Sequence, residues 1–134
     1  MAGGYLAGWW TRVGATILDG LIVGVIALII VAAAGGSGRD IEFTDWILVF
    51  IYAFILLGVP RSQTVGMMAL GTRVVDANTG GTIGFGRSFG RAAVYLLLGI
   101  TVIGGLIDIL WPLWDSRNQT LHDKAIGSVL IHVR

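Results

Sequence analysis

The feature that most restricts the fold of this chain is an uninterrupted apolar run, VGATILDGLIVGVIALIIVAAA, at residues 13–34. As a helix this run spans roughly 33 Å, which is enough to cross a bilayer core of about 30 Å. Trp9 and Trp10 come just before it, where aromatic side chains collect at a membrane interface. A cleaved signal peptide is the alternative, but its apolar part is shorter and carries no central Asp. We therefore predict a first transmembrane helix at residues 13–34.

A second apolar run, residues 43–59, stops at Pro60 and predicts a second spanning helix. The composition agrees, because 55% of the residues are apolar and only 13% are charged, whereas about a quarter are charged in soluble domains. A chain of this length cannot enclose so much apolar surface, so we expect part of it to face lipid. The sequence has no cysteine, which excludes disulfides and thiol catalysis.

The distribution of basic residues predicts the orientation of these helices. Residues 60–91 carry four arginines and one aspartate, whereas residues 35–45 carry one arginine and three acidic residues. Basic loops stay in the cytoplasm, so residues 60–91 are predicted to be cytoplasmic and residues 35–45 external. We therefore expect a multi-pass protein of the cell membrane with a cytoplasmic N-terminus.

The third apolar segment, residues 92–114, allows two interpretations. It is long enough to cross the membrane, yet basic residues flank it on both sides. Gly104 and Gly105 divide it into two pieces of about half a membrane each, and Pro112 would bend a straight helix. A re-entrant helical hairpin would keep both basic flanks in the cytoplasm, whereas a full span would place the second flank outside. We favour the hairpin.

Two stretches of the chain resemble each other, RSQTVGMMALGTRVV at residues 61–75 and RNQTLHDKAIGSVLI at residues 117–131. Each has a Thr suited to cap a helix, six further residues, a Gly suited to end the helix, and a β-prone run. The first β-prone run is predicted to turn back as a hairpin at Asn-Thr-Gly-Gly, with residues 128–133 as a third strand. Such a sheet requires both copies on the same, cytoplasmic side; the alternative is that the similarity is chance.

The chain resembles the RDD family of small membrane proteins, which is named for one Arg and two Asp. Arg12 at the start of the first helix and Asp19 within it match the first two residues of that pattern. The ending QTLHDKAIGSVLI matches the family's tail and makes Asp123 the second Asp, with Asp108 and Asp115 as rivals. The resemblance implies a fold more than an activity, and transport is the usual proposal for the family.

The predicted fold class is an all-α integral membrane protein with a small cytoplasmic β-sheet or hairpin, formed by one domain over residues 1–134. Its predicted parts are helices at 13–34 and 43–59, a cytoplasmic helix and hairpin at 61–91, a helical hairpin or span at 92–114, and a cytoplasmic tail at 115–134.

Asp19 is the first candidate for a functional residue. An ionised carboxylate near the centre of a lone membrane helix costs about 2.5–3.5 kcal/mol, so Asp19 must contact protein or water, or be protonated. Arg12 lies two turns earlier on the same helix face, which predicts a water-bridged pair or a shared partner. Asp19 then either carries a proton or cation, or bonds a neighbouring helix for packing only.

Two further carboxylates are candidates. Asp108 either caps the short helical turn that follows it or forms an ion site near Asp19. Asp123 lies three residues after Thr120, where it can complete a capping box, and it could also attract Arg12 or the basic pair Arg87 and Arg91. That pair is itself a candidate contact for anionic lipid headgroups.

The remaining patterns point away from enzymes. His122 and His132 have no third ligand nearby, so we predict no metal site, and no motif predicts a cofactor, a nucleic acid or a catalytic nucleophile. We expect transport of an ion or small solute through intramembrane carboxylates, or alternatively a non-catalytic scaffold or accessory subunit. The expected partners are the lipid bilayer and a second copy or another membrane protein, since Gly20 and Gly24 form a GxxxG packing motif.

Overall fold

A computed structural model of the chain describes residues 6–133, so the predicted tail ends at a residue, Arg134, that lies outside the described residues. This part of the chain is mostly helical and contains one small sheet. Its elements are α1 (Trp9–Ala34), α2 (Gly38–Gly58), α3 (Val65–Leu70), β1 (Thr72–Asp76), α4 (Gly84–Gly99), α5 (Val102–Leu110), α6 (Leu121–Ile126) and β2 (Ser128–His132), with a short 3-10 helix at Trp111–Leu113 after α5.

The helices α1 and α2 are both long enough and apolar enough to cross a membrane. Both begin a few residues earlier than predicted. Helix α2 begins at Gly38 because Ser37 and Asp40 form a capping box, in which the Asp40 carboxylate accepts the Ser37 backbone N–H at 2.8 Å. Helix α1 ends at Ala34, and the left-handed backbone of the next residue, Gly35 (φ 74°), closes its last turn.

The third apolar segment folds back on itself. Helix α4 ends at Gly99, and α5 begins after Thr101, whose hydroxyl accepts the Gly104 backbone N–H at 2.9 Å. A Cβ atom at Gly104 would lie 2.5 Å from the Leu98 carbonyl oxygen, so only glycine permits this close turn. The Trp9 indole donates to the Ile109 carbonyl at 2.8 Å, which brings the end of α5 back to the start of α1. The segment is therefore a helical hairpin and not one straight helix, and its first arm begins before residue 92.

The two similar stretches form the same local structure. Thr64 caps α3 by accepting the N–H three residues later at 3.2 Å, and Thr120 caps α6 in the same way at 3.2 Å. Gly71 and Gly127 end the two helices with left-handed backbones at φ 70° and 68°. Both helices then lead directly into the two strands. The predicted caps, helices and strands of both copies are confirmed.

The match extends to details that composition would not produce. Ser62 and Asn118 occupy equivalent positions before the caps, and both have left-handed backbones, at φ 50° and 53°. Gln63 and Gln119 follow them, and each side-chain amide donates to the carbonyl of the residue that opens its own strand, at 2.8 and 2.7 Å. The similarity is therefore a structural repeat, and chance is excluded as its explanation.

The strands of the two copies pair with each other. β1 and β2 are antiparallel, with a register that runs from Thr72 opposite His132 to Asp76 opposite Ser128. This pairing confirms that both copies lie at the same end of the molecule. A third segment joins at the other edge of β2, where Leu6 forms an isolated bridge with Ile131.

The predicted hairpin after the first copy, and with it the predicted three-stranded sheet, is wrong. The chain does not return as a strand after β1, because the Asp76 carboxylate accepts the backbone N–H groups of Asn78 at 2.7 Å and Thr79 at 3.0 Å. These bonds and the Arg87 guanidinium lower the pKa of Asp76 to about 2. The tight turn they close redirects the chain into α4, so the small sheet has two strands and not three within residues 6–133.

The apolar core lies where the sheet, α1 and the end of α2 meet. Both copies of the repeat, the long helices and the segments just before α1 and α4 contribute to it. Its members are Ala7, Ala15, Leu57, Met67, Val74, Ile83 and Leu130. In contrast, α1, α2 and the α4–α5 hairpin leave most of their apolar side chains partly or fully exposed. The stable packing is therefore concentrated at the sheet end of the molecule, where the polar candidates also lie.

Candidate functional site

A buried cluster of two arginines and one aspartate joins the first turn of α1 to α4 and α6. Asp123 is fully buried, and its two carboxylate oxygens each face one guanidinium. Arg12 Nη1 lies 3.0 Å from Oδ2, while Arg91 donates to Oδ1 from Nε at 3.0 Å and from Nη2 at 2.9 Å. Burial by itself would raise the pKa of Asp123, but the charges of Arg12 and Arg91 outweigh it and hold that pKa below its usual range.

Neutral groups complete this Arg–Asp cluster. Asp123 forms the predicted capping box with Thr120, whose backbone N–H donates to Oδ2 at 3.2 Å. The Ser128 hydroxyl donates to Oδ1 at 3.2 Å, and Arg12 Nη2 donates to the Asn118 carbonyl at 2.8 Å. The cluster is therefore held at α1, α4, α6 and β2 together.

The structure separates Arg87 from Arg91. Only Arg91 is buried in the cluster, which makes it unable to serve as the lipid headgroup contact that the sequence suggested. Arg87 instead forms a salt bridge with Asp76 and donates from Nε to the Ile126 carbonyl at 3.1 Å and from Nη2 to the Gly127 carbonyl at 3.0 Å. Its charge thus sits at the C-terminal end of α6, where cations stabilise a helix.

Asp19 binds the N-terminus of α3. Its Oδ1 accepts the Tyr52 hydroxyl at 2.6 Å and the Gly66 backbone N–H at 2.7 Å, and its Oδ2 accepts the Thr64 hydroxyl at 2.6 Å. A Cβ atom at Gly66 would lie 2.2 Å from the Ala15 carbonyl oxygen, so α3 approaches α1 as closely as glycine permits. The predicted sharing of a partner between Arg12 and Asp19 is not found within residues 6–133, because each binds a different copy of the repeat.

Asp108 does for α6 what Asp19 does for α3. Its Oδ1 accepts the His122 backbone N–H at 3.1 Å, and its Oδ2 lies 2.7 Å from His122 Nδ1. His122 and Gly66 are equivalent positions of the repeat, so each short helix presents the same backbone N–H to a carboxylate from a long helix or the hairpin. The prediction that Asp108 caps a following turn is wrong, because α5 begins at Val102 and Asp108 lies within it.

Asp115, the other rival for the second family Asp, has a local role. Asp115 accepts the backbone N–H groups of Arg117 at 3.0 Å and Gln119 at 3.1 Å, and it lies 2.6 Å from Lys124 Nζ. Partial burial by itself would raise the pKa of Asp115, but these contacts outweigh it and lower that pKa. Asp115 therefore shapes the turn before the second copy.

A cleft of about 460 Å³ lies between α1, α2 and the α4–α5 hairpin. The Arg–Asp cluster reaches it through Arg12 and Arg91, and its walls include Asp19, Asp45 and Tyr95. We call it the central cleft. Its volume falls within the roughly 300–1,000 Å³ of small-molecule sites. Among residues 6–133 no three His, Asp or Glu side chains come together as metal ligands.

Sequence reasoning found the charged members of these sites but not the neutral ones. Tyr52, Thr64 and Gly66 surround Asp19, although only Thr64 had been assigned a role, as a helix cap. Tyr95 packs edge-on against His122 with ring centroids 5.0 Å apart. The sequence did contain a signal for these neutral residues. Tyr52 and Tyr95 each lie inside an apolar segment, and a buried tyrosine hydroxyl usually needs a hydrogen-bond partner.

The fold and site define a small, mostly helical protein with two helices able to cross a membrane, a two-stranded sheet built from an internal repeat, and a buried Arg–Asp cluster. The chain belongs to the RDD family, which it matches over residues 6–127.

Relatives with curated names are of two kinds. The chain is 30% identical to the uncharacterized protein YckC of Bacillus subtilis over 94% of its own length and 84% of that protein. It is 36% identical to a proline-rich antigen homolog of Mycobacterium tuberculosis over 53% of its own length, and 30% identical to the proline-rich antigen of Mycobacterium leprae over 73%. The chain spans only 28% and 39% of those two mycobacterial proteins. No solved structure matches it.

Proposed function

We propose that the chain is a multi-pass membrane protein in which α1 and α2 span the bilayer and the α4–α5 hairpin re-enters it from the cytoplasmic side. The exposed apolar surface supports this arrangement. The side chains at the hairpin tip are apolar and largely exposed, and contact with lipid is more favourable for them than contact with water. Val102 is 80% exposed and Ile103 is 72% exposed. From Arg91 to Gly99 the hairpin rises about 12 Å, which is less than half of a bilayer core.

Cysteine labelling tests this orientation, since the sequence has no native cysteine. Asn78, Ser116 and Arg39 are all exposed, the first two at the sheet end and the third near the start of α2. In intact cells, a membrane-impermeant thiol reagent should label Arg39→Cys and neither Asn78→Cys nor Ser116→Cys. Labelling of Ser116→Cys but not Asn78→Cys would show that residues 92–114 cross the membrane.

For molecular function we propose passage of a small ion or solute through the central cleft. The observation that carries this proposal is a carboxylate, Asp19, on the wall of a cleft between two candidate spanning helices. Carboxylates at membrane depth are unfavourable unless they are paired, hydrated or loaded, and they commonly mark ion and proton paths. A hairpin that ends inside the bilayer resembles the broken helices that line transporter sites.

A scaffold or accessory subunit is the second candidate. The observation in its favour is that the Asp19 carboxylate already accepts hydrogen bonds on both oxygens, from three donors of the protein. Asp123 is likewise held by two guanidiniums. In this alternative the carboxylates lock the repeat onto the long helices and carry nothing.

Asp19→Asn separates the two candidates. The variant should be reconstituted in liposomes beside the parent protein and Glu42→Gln, a control at an exposed position of α2. In the transport proposal, parent and control carry a gradient-driven flux of ions or protons, and Asp19→Asn reduces it at least tenfold while remaining folded. Equal flux in Asp19→Asn would rule out Asp19 as part of the path. Absence of flux from the parent protein with common monovalent cations would favour the scaffold.

We also propose that the chain forms homo-oligomers, because two spanning helices and a hairpin are too few to enclose a path alone. Gly20 and Gly24 leave open space beside α1, where a Cβ atom would meet nothing within 4 Å. A neighbouring helix could approach closely there. Native mass spectrometry of the detergent-solubilised protein should show a dimer or larger species, which Gly24→Leu should weaken.

A further inference from the structure

Arg91 in α4 has one nitrogen left over after it binds Asp123. The residue is only 6% exposed, and its Nε and Nη2 donate to Asp123 Oδ1 at 3.0 and 2.9 Å. The third nitrogen, Nη1, makes no hydrogen bond or ion pair with residues 6–133, and it is not one of the side-chain atoms that are sealed off without a partner. Because Arg91 lines the central cleft, the two N–H groups of Nη1 are available to a molecule that enters it.

The Arg–Asp cluster also has an excess of positive charge. Within residues 6–133 Asp123 is the only carboxylate that forms an ion pair with Arg12 or Arg91, so two positive charges face one negative charge. Arg12 shows the same shortage of acceptors, because its Nε is buried and has no hydrogen-bond partner in this part of the chain. Buried charges and donors without partners are unfavourable. A group with one negative charge, such as a carboxylate, would bind Nη1 and balance the cluster.

Carboxylates on the other walls of the central cleft restrict what such an anion can be. Asp19 in α1 and Asp45 in α2 both line it. These two side chains repel a simple anion, whereas the Arg–Asp cluster repels a simple cation. A molecule that carries a carboxylate at one end and an ammonium group at the other matches both signs of charge.

Arg91 and Asp19 lie at about the same height in the central cleft. Helices α2 and α4 run antiparallel, and the Ser88 hydroxyl donates to the Phe54 carbonyl at 2.7 Å. Arg91 comes three residues after Ser88, and Tyr52, which donates to Asp19 at 2.6 Å, comes two residues before Phe54. Both steps lead in the same direction along the antiparallel pair, so a small solute can reach the two charged groups together.

We propose that the central cleft binds a small zwitterionic solute of the amino-acid class, whose carboxylate accepts hydrogen bonds from Arg91 Nη1 and whose ammonium group faces Asp19. This inference deepens the proposed function by naming the class of solute, and it rests on that function only in placing the solute in the central cleft. Asp19 has room for the ammonium group, because a carboxylate offers about four acceptor positions and three are used.

Equilibrium binding tests the proposal without requiring flux. The purified full chain in lipid nanodiscs should be dialysed against radiolabelled alanine, propanoate and ethylamine, which share a carbon skeleton but carry both charges, only the carboxylate or only the ammonium group. Leucine, 4-methylpentanoate and 3-methylbutylamine form a second set with a larger apolar part. We expect at least one of the two amino acids to bind at least tenfold more tightly than both of its analogues. An analogue that binds as tightly as its amino acid in both sets, or no binding of either amino acid, would overturn the proposal.

Matched variants of α4 locate the carboxylate. Arg91→Lys keeps a positive charge for Asp123, but one ammonium group cannot replace the two faces of the guanidinium, so amino-acid binding should weaken at least tenfold. Arg87→Lys is the control on the same helix, because Arg87 binds Asp76 and does not line the central cleft, and it should bind as the parent does. Thr16→Phe fills the cleft from an exposed position of α1 and should also abolish binding, which keeps the test valid if Arg91→Lys does not fold. Parent-like binding in folded Arg91→Lys or in folded Thr16→Phe would overturn the site.

The ammonium group has its own test. Asp19→Asn should remove most of the preference for the amino acid over its carboxylate analogue, and a tenfold preference that persists in the folded variant would overturn this half of the site. Thermal unfolding of each variant shows whether it is folded. Amino-acid binding in a protein that carries no flux would overturn transport and leave the site standing. Flux of ions in a protein that binds neither amino acid would overturn the site and leave transport standing.

Discussion

Arg12 Nη1 lies 3.0 Å from Asp123 Oδ2, so the first turn of α1 is bound to the short helix that precedes the last strand. Because Arg91 binds the other oxygen of the same carboxylate, one side chain connects α1, α4 and α6. The cluster carries two positive charges and one negative charge, and all three side chains are buried. We expect this cluster to hold α1, α4 and α6 together, and so to join the first helix to the last part of the chain.

Removing the central charge should therefore destabilise the whole molecule. In Asp123→Asn both guanidiniums remain buried without a counter-charge, and breaking a buried pair in this way costs about 3–5 kcal/mol. The measurement is the free energy of unfolding of the detergent-solubilised protein. Arg117→Gln, a change of an arginine at an exposed position, should change it by less than about 0.5 kcal/mol. Unchanged stability of Asp123→Asn would show that the cluster does not hold the fold together.

Arg12 and Asp19 should act independently on stability, although they are neighbours on one helix. They bind different copies of the repeat, and residues more than 7–10 Å apart without a shared partner are additive within about 0.5 kcal/mol. A double-mutant cycle of Arg12→Ala and Asp19→Ala measures this. The same cycle with Asp19→Ala and Tyr52→Phe should show coupling of about 0.5–3 kcal/mol, because the hydroxyl and carboxylate share a hydrogen bond. Coupling in the first cycle would point to water-mediated contact.

Gly66→Ala should separate α3 from α1. The new methyl group would meet the Ala15 carbonyl oxygen, a backbone atom that cannot rotate away, and overpacking of this kind costs about 1–3 kcal/mol. Gly86→Ala is the matched control, since a Cβ atom there meets nothing within 4 Å and alanine favours the helix by about 1 kcal/mol. Thermal unfolding should show a lower midpoint for Gly66→Ala only. Equal midpoints would mean that α1 and α3 can separate freely.

Stability should fall on mild acidification through His122. Burial and then the charge of Arg91 lower the pKa of His122, and the opposing effect of Asp108 is smaller. The unfolded chain, with a His pKa of about 6.5, then binds a proton at higher pH than the folded protein. Folding stability is therefore full above pH 6.5 and decreases as the pH falls below it.

His122→Asn tests this prediction, because the amide can replace Nδ1 as the donor to Asp108 and does not titrate. The free energy of unfolding should decrease between about pH 6.5 and 5 in the parent protein and vary less in the variant. The lowered pKa of Asp123 contributes only at lower pH, since stability from a lowered carboxyl is lost below its unfolded pKa of about 3.9. A variant with the same slope as the parent would assign the pH dependence to another group.

The sequence by itself determined the elements whose signals are local. The length and apolarity of the first two runs define α1 and α2, and Thr64, Thr120 and the two glycines after the short helices define the caps of both copies. A cap or an apolar run acts within a few residues of itself, so no knowledge of distant segments is needed. The side chains of Arg12, Asp19 and Asp123 could be selected for the same reason, because charges in apolar surroundings are costly wherever they occur.

Only the tertiary structure decided which groups these charges bind. Asp19 and Arg12 lie on one helix face, yet they bind different elements. α3 packs against α1 and binds Asp19, whereas α6 packs against α4 and binds Arg12 through the side chain of Asp123. The pairing of β1 with β2 likewise depends on how the two copies meet, because these strands lie far apart in the chain. The turn at Asp76 follows directly after β1 and redirects the chain away from that sheet. Local signals set the helices and caps, but the partners of buried charges are chosen by the packing of distant elements, where desolvation makes each unpaired group unfavourable.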